Sequence, residues 1–598
     1  QISNLVISPV RYNPRANVLE VITLMKIEIR FTGGDDKGDS SPSSESELFN
    51  ETLDKGLLNY SPAGLITGFS TEPVGMIILT DSTFRKCLEP FYKWKTQKGF
   101  KLNILYRGKG TTGSTYSEMK DAISRVYSEA LANGHAPEYL LIIGDISRIP
   151  YYGTDNITDM YYGETDGGSD YLPDMYIGRI PAPDTNSVKI AVEKILQYER
   201  FEFAGTNNFY SKALVFAGKD ATYAGYMNGQ IRYALDNYLN TAGNISERHF
   251  FYPEGATKKD SILKLITEGL SFINYTGHGS QFGWLHVDIK SSDIRLLKNQ
   301  NMYPFIISNA CRTAQFDDTT SFGNKMLLSR GKGAIGFIGC SNDSYWDEDF
   351  IWAVGPGTPG PDPKYSLTGL GAYDRLFHTH DELPSDWYIS LGQVNYAGNL
   401  AVSSSSSLKK KYYWETYTVL GDPSLIPYIG IPQPFTVTIP DTLPNGIKSL
   451  SLTLDPFSYV AVSHAGQLWD ATHASPSGAV VLDMPGISND SCLVVITGQN
   501  RIPLIKTVHF ADINDEFINL SGSGIYDPAG NNNNKADYGE TVNLRVKISN
   551  LGLKPANDLS ASISSSSTWV TINKNNALIG TLAAKSEITL SDNFSLTI

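Results

Sequence analysis

At 598 residues the chain is too long for one core, and at roughly 150 residues per domain about four domains are expected. A hydrophobic share of 41% beside 19% charged residues describes an ordinary globular protein. The net charge of −13, with no basic stripe interleaved with aromatics, argues against a nucleic-acid partner. No window of 18 apolar residues occurs, so no membrane-spanning helix is expected.

In chain order, 1–33 alternates apolar and polar, as in Leu19-Glu-Val-Ile-Thr-Leu-Met-Lys-Ile-Glu-Ile-Arg-Phe31, which is a strand pattern. The acidic, Ser-rich stretch that follows marks 34–73 as a linker. Together they read as the end of a β-rich pro-domain and a segment cleaved on activation, the alternative being an N-terminal hairpin of the next domain. From 74 to 428 strand and helix patterns alternate. Gly75-Met-Ile-Ile-Leu-Thr80, Tyr139-Leu-Leu-Ile-Ile143, Ala213-Leu-Val-Phe-Ala217 and Gly333-Ala-Ile-Gly-Phe-Ile-Gly339 are strands, with helical faces between them. Continuous Val/Ile/Leu strands between helices predict a mostly parallel sheet covered on both faces, in two α/β halves, 74–184 and 185–431. Short alternating strands over 432–512 predict a β-sandwich of immunoglobulin type, and 517–598 a second β-sandwich-like domain, truncated.

Two strands end in reactive side chains: Leu270-Ser-Phe-Ile-Asn-Tyr-Thr-Gly-His278-Gly-Ser280 and Pro304-Phe-Ile-Ile-Ser-Asn-Ala-Cys311. Open α/β sheets build sites at the carboxyl ends of strands, so a thiol and an imidazole 33 residues apart can meet there. Cys87, Cys340 and Cys492 lie in other segments without metal spacing and read as small buried hydrophobes. A free thiol has a pKa of about 8.5, so His278 is needed to raise its reactive fraction and later to protonate a leaving amine. Backbone N–H groups of Gly279 and Cys311 are the natural oxyanion donors, each worth about 3–4 kcal/mol of barrier. His286, His378 and His380 are alternative bases, but none sits in a comparable strand-end turn, and the last two read as residues of a solvated loop.

At these motifs the chain resembles the gingipain family (family C25) of secreted bacterial cysteine peptidases. Asn274-Tyr-Thr-Gly-His-Gly-Ser280 with Trp284, then Asn309-Ala-Cys311, is similar to that family's His and Cys motifs. Gly144-Asp145 with Ile149-Pro150, Asp174 with Ile177-Gly-Arg179, and Gly421-Asp-Pro-Ser-Leu425 match further, as does the leader's Ser8-Pro-Val-Arg-Tyr-Asn-Pro14. The resemblance implies a caspase-like α/β catalytic domain in two subdomains, followed by all-β immunoglobulin-like domains. It implies a cysteine endopeptidase made as a zymogen, secreted or held on the bacterial surface through a missing C-terminal region, with protein or peptide substrates. A sortase-like transpeptidase of type IX secretion and a surface adhesin carrying a relic peptidase are the alternatives. The arginine-specific members orient the His with a Glu where Gly218 stands here, so Asp220 is the candidate for that task, or the pair works as a dyad. Their pocket Asp corresponds to Gln230, so arginine specificity is not carried over. Trp284 and Trp346 are candidates for a substrate-pocket wall, aromatic core being the equal alternative. The family's structural calcium loop maps onto Asp145, Asp170 and Asp174 with backbone oxygens near Gly167 and Leu172, a hard-oxygen set suited to that ion. The loop bearing Asp527, Asp537 and Glu540 is a candidate second metal site or a polar hairpin. An acidic ligand of a further family ion site is replaced by Asn324. No organic cofactor is expected.

Overall fold

The computed structural model describes residues 72–108, 111–153, 155–165, 171–203, 208–527, 532–565, 567 and 569–598, together with the backbone of two short strands, β1 (Val10–Asn13) and β2 (Val18–Val21). Those two pair antiparallel, Val10 opposite Val21; nearly all the rest of the expected pro-domain and linker lies outside the described residues.

The α/β region is built on β3 (Gly75–Asp81), β4 (Lys101–Arg107), β5 (Tyr139–Ile143), β6 (Tyr176–Ile180), β7 (Lys212–Ala217), β8 (Ser246–Phe250) and β9 (Phe272–Thr276). Three short strands follow, β10 (Gly279–Ser280), β11 (Gly283–Trp284) and β12 (Ile289–Lys290), then β13 (Phe305–Asn309), β14 (Gly336–Cys340) and β15 (Tyr417–Leu420). Ten of them form one sheet in the order β4-β3-β5-β6-β15-β14-β13-β9-β7-β8. The pairings are parallel except β14–β15. β15, arriving some 240 positions after β6, pairs with it through Leu420 opposite Arg179 and makes all ten strands a single sheet.

Both faces are covered, as the apolar runs required. Met76 and Ile78 share a core with Leu88 and Phe91 of the helix Arg85–Gln97. Their neighbours Ile77 and Leu79 pack with Met119 and Ile123 of the helix Tyr116–Ala132 on the other side. That alternation is the period-2 geometry of a strand buried on both faces. The second helix starts on a capping box at Thr115 and Glu118, so its beginning is written in the local sequence.

Two sequence motifs prove to be clamps. Arg179 is fully buried, gripping Asp159 with Nε and Nη2 at 2.6 Å each while Nη1 donates to the carbonyls of Gly144 (2.8 Å) and Ile149 (3.1 Å). Asp422 of the Gly421–Leu425 run lies 2.6 Å from the buried Lys95 ammonium, which also meets Glu199 at 2.9 Å. A buried ammonium is tolerated only with such partners.

Strands over 433–511 form one five-stranded and two two-stranded sheets around one core of Leu450, Val460, Val462, Leu482, Val494, Ile496 and Val508. This sandwich is docked on the catalytic sheet. The Tyr459 hydroxyl accepts from Val74 N (2.9 Å) and donates to Gly99 O (2.8 Å), its ring against Phe100. Gly99 has φ +107° and a Cβ there would lie 2.6 Å from the Tyr459 ring, so the approach needs glycine. Strands over 518–597 make a further β unit around Val546, Ile548, Leu582 and Phe594.

Candidate active site

β9 and β13 are adjacent and parallel, Thr276 opposite Asn309, so the segments that follow them leave the sheet side by side. One carries His278 and the other Cys311. Gly277 N donates to Asn309 O at 3.1 Å, and a Cβ on Gly279 would sit 2.5 Å from Cys311 O. The two reactive segments are therefore in contact, and Gly279 is glycine because nothing larger fits.

Why these strands hold so still lies beneath them. Gln230 Nε2 donates to both Asn274 Oδ1 and Asn309 Oδ1 at 2.8 Å, and Asn274 Nδ2 donates to Asn309 Oδ1 at 2.9 Å. All three side chains are buried. The asparagines of the two motifs are thus the rungs of an amide network locking one strand end to the other, fully satisfied and so rigidifying. Gln230 is that network's crosslink; the expectation that it lines the substrate pocket is corrected, because its amide is spent beneath the strand ends on the two asparagines. Trp284 is corrected likewise: it is 1% exposed, wedged between Phe216, Tyr275 and Phe322, with Nε1 donating to Ser308 Oγ at 2.9 Å.

The thiol is half-buried. Cys311 Sγ accepts from Ser344 N at 3.3 Å and lies 3.7 Å from Ser344 O. Burial pushes its pKa up, the Ser344 N–H opposes that, and Asp349 and Asp343 add to the rise. That direction favours the neutral thiol over the thiolate. Arg312, next in the chain, has φ +59°, a left-handed turn held by its N–H on Asn342 O (2.8 Å) and its guanidinium on Asp343 (2.7 Å). Strain of this kind is kept where the surroundings fix it.

His278 Nε2 lies 3.0 Å from Asp220 Oδ2. Asp220 Oδ1 in turn accepts from Thr222 N (2.8 Å) and Tyr223 N (3.2 Å). Burial raises the Asp220 pKa, but the His278 bond and those two N–H groups together outweigh it and hold the carboxyl below its usual range. Asp220 thus stands where an imidazole-orienting acid must. Trp346 packs edge-on to His278 (centroids 5.2 Å) and stacks on Tyr223 (4.9 Å), at the cleft. His286 sits 5.1 Å from the His278 ring with Nδ1 on Lys219 O, beside the site but not on the carboxylate.

The profile of peptidase family C25 matches residues 70–428, the stretch that carries all these groups. This chain belongs to that family. Lys-gingipain of Porphyromonas gingivalis is 34% identical over 527 residues, 85% of this chain but 30% of the relative's length. Gingipain R1 of the same species is 23% identical over 84% of the chain and 49% of its own length. The chain therefore spans about a third of the length of the curated Lys-gingipains it matches. Among solved structures, one described as a protease superposes with TM-score 0.68 at 33% identity, covering 73% of this chain and 97% of that one. The Arg-specific cysteine proteinase gingipain R superposes at 0.63 with 20% identity, covering 76% and 100%, a likeness of fold.

For a gingipain-family chain, one residue stands out that sequence reasoning passed over. Asp349, on the helix Trp346–Val354 one turn beyond Trp346, is 5% exposed. Its carboxylate accepts from Ser344 Oγ (2.7 Å), Tyr413 OH (2.9 Å) and Tyr417 OH (2.5 Å). Burial pushes its pKa up to about 6, against those three hydroxyls. Through Ser344 it is one residue's width from the Cys311 sulfur. The signal available was the acidic run Asp347-Glu-Asp349 opening a helix at the end of a sheet strand, beside the thiol's strand.

Other expectations are corrected by topology. Asp145 follows the carboxyl end of β5, with its N–H on Ala182 O, whereas Asp174 precedes the amino end of the parallel β6, with its N–H on Gly163 O. At about 3.3 Å per residue those positions are some 20 Å apart, so one ion cannot bind both. Asp174 Oδ2 accepts from Thr165 N (2.6 Å) and Oγ1 (2.8 Å), and Asp145 Oδ1 from Ser147 Oγ (2.7 Å). Leu172 is buried beside that loop, while Gly167 and Asp170 lie outside the described residues. Asn324 donates its amide to Asp318 O at 2.8 Å, supplying protons where an acidic ligand would supply charge. Asp527 accepts from the N–H groups of Asn533 (3.0 Å) and Asn534 (2.8 Å), and Asp537 from Asn533 Nδ2 (2.7 Å). Among the described residues no group of three or more His, Cys, Asp or Glu, Glu540 included, is arranged to hold a metal. His378 is not solvated: it stacks on Trp387 (4.1 Å) and its Nε2 meets Gln499 of the β-sandwich at 2.5 Å.

Proposed function

We propose that the protein is a secreted or surface-held cysteine endopeptidase, made as a zymogen, that cuts after basic residues and after lysine above all. The observation that carries the chemistry is the pair of touching strand ends bearing Cys311 and His278, with Asp220 on the imidazole. Because Asp220 accepts the Nε2–H hydrogen bond, Nδ1 is left to accept the thiol proton. The thiolate adds to the substrate carbonyl carbon, and the oxyanion is met by the N–H groups of Gly279 and Cys311. The C–N bond then breaks as the imidazolium returns its proton to the leaving amine, giving a thioester. Water, deprotonated by the same nitrogen, hydrolyses it to the acid and restores the thiol.

The substrate reading rests on Asp349, a buried carboxylate within reach of the thiol's neighbour Ser344, and on relatives named for lysine. A lysine ammonium is a compact cation with three donors, and a pocket carboxylate already satisfied by hydroxyls accepts it without leaving a bare charge. Calcium remains part of the proposal for the segment of Asp170, Leu172 and Asp174 alone, without Asp145, as a structural ion; chelation should lower the melting temperature, and an unchanged value would remove it. An immunoglobulin-type topology for 432–512 is supported by its all-β strands around a single apolar core. Maturation by cleavage between 33 and 72 completes the reading and is checked by N-terminal sequencing of active protein.

The deciding experiment is labelling with an acyloxymethyl-ketone probe carrying lysine. Wild type should be labelled and Cys311→Ala should not; equal labelling of both would end the peptidase reading.

A further inference from the structure

We propose that His286 is a positioning residue for the catalytic imidazole: it ties the turn carrying Asp220 to the loop that follows His278. The proposal rests on the peptidase reading and deepens it by adding a second hold on the acid.

The need for such a tie follows from the strand ends. β7 stops at Ala217, and Gly218 N still donates to Thr276 O of β9 at 2.9 Å. Lys219 and Asp220 lie beyond, in the turn that leads to the helix Ala224–Asn237. Asp220 Oδ1 accepts from Thr222 N and Tyr223 N, both within that same turn. Neither bond joins the turn to the segment of His278. An acid that orients an imidazole has to be fixed relative to it, not only to its own loop.

His286 supplies that join. β10 and β11 pair as a hairpin, Gly279 opposite Trp284, so the chain returns past His278 within a few residues. There Leu285 N donates to His278 O at 3.0 Å, and the Tyr275 hydroxyl reaches both His278 O (2.8 Å) and Leu285 O (3.1 Å). These bonds make one unit of the His278 and Leu285 backbones. The next residue crosses to the other turn: His286 Nδ1 lies 3.1 Å from Lys219 O. A carbonyl oxygen can only accept, so the ring carries a proton on Nδ1. Lys219 O belongs to the peptide bond into Asp220, and the contact therefore fixes the acid's own backbone.

The loop is shaped for this contact. Trp284, Val287 and Ile289 are buried and anchor it, while Leu285 and His286 are exposed. His286 has φ +62° and Asp288 φ +59°, left-handed values that persist where the surroundings impose them. The His286 ring also stands at 77° to the His278 ring with centroids 5.1 Å apart, as Trp346 stands at 84° and 5.2 Å. Between two such neighbours the imidazole has less room to turn away from Asp220.

The test uses the full chain and measures kcat and KM on a short acyl-lysyl amide. The variants are His286→Ala, His286→Asn, Asp220→Ala, and His286→Ala combined with Asp220→Ala. Because His286 is exposed, its variants should keep the fold, which thermal melting checks. Alanine removes the donor, whereas asparagine keeps an N–H at the place of Nδ1 and tolerates a positive φ. His286→Ala should lower kcat about threefold with KM unchanged, the size of one exposed hydrogen bond. His286→Asn should stay within about 1.5-fold of wild type. In the Asp220→Ala background His286→Ala should cost nothing further, because no acid is left to place. An equal loss in both backgrounds, or an asparagine variant as impaired as alanine, would show a merely structural role and overturn the proposal. His286→Ala at wild-type activity, or Asp220→Ala without any loss, overturns it as well. No turnover by the wild-type protein is a separate result, because it removes the peptidase reading on which the proposal stands.

Discussion

Asp220→Asn is the substitution on which the reading of His278 turns. The change is isosteric, and Oδ1 keeps its bonds from Thr222 and Tyr223, so the turn before the helix Ala224–Asn237 is retained. What changes is the atom 3.0 Å from His278 Nε2: an acceptor becomes an amide donor. The imidazole must then accept at Nε2 and carry its proton on Nδ1, the nitrogen that has to take the thiol proton. Restoring the productive tautomer costs the new hydrogen bond, about 1–1.5 kcal/mol. Loss of the charge that stabilises the imidazolium adds about 1 kcal/mol. That figure is kept low because the two side chains are 37% and 20% exposed and water screens the pair. About 2–2.5 kcal/mol corresponds to a fall in kcat/KM of about 30- to 70-fold. Asp220→Ala loses orientation but imposes no wrong tautomer, so it should fall only about fivefold. The assay is kcat/KM on a short lysyl amide across pH, with circular dichroism to confirm the fold. Alanine more damaging than asparagine, or both within twofold of wild type, would refute the assigned tautomer and with it the orienting role.

Asp349→Asn should reduce kcat/KM for lysyl substrates by about two to four orders of magnitude, since a buried charge partner is worth about 3–5 kcal/mol, while neutral substrates change little; equal losses on both would count against a specificity role. Burial raises the Asp349 carboxyl to about 6, so the native state holds more protons than the unfolded one between about pH 4 and 6. The residue therefore takes stability away as pH rises through that window, and KM for lysyl substrates should climb as pH falls below about 6. Urea titrations and kinetics of wild type and the Asn variant, which loses both trends, check this. Gly279→Ala places a Cβ 2.5 Å from Cys311 O and 2.9 Å from Ala310 Cβ, so activity should drop at least about a hundredfold, with about 1–3 kcal/mol lost in stability. Tyr459→Phe strips a buried hydroxyl bridging Val74 N and Gly99 O, which should cost about 1–3 kcal/mol and speed amide exchange at Val74, measured by mass spectrometry.

Local chemistry written along the chain decided a great deal here. Continuous apolar runs of five to seven residues could only be strands covered on both faces, and β3 and β5 are buried at every position. The Gly-rich turn after β9 and the thiol after β13 could be read as strand-end groups because a parallel sheet gathers such ends on one edge. Asp220 was within reach of the same reasoning, three positions beyond a strand that joins that edge. What the sequence does not carry is neighbourhood between distant segments. Gln230 and Trp284 look like pocket residues in one dimension, yet packing turned the first into a crosslink between two asparagines and sank the second in an aromatic core. Asp145 and Asp174 sit in acidic stretches only 29 positions apart, but a parallel crossover sends them to opposite edges of the sheet. Asp349 became a site residue only when β15, entering from far down the chain, brought Tyr417 against it, and helix Lys410–Thr416 brought Tyr413. Side-chain type and periodicity act over a few residues, and so are legible locally. Burial and partnership depend on which strands become neighbours, and that is settled by the packing of the whole sheet.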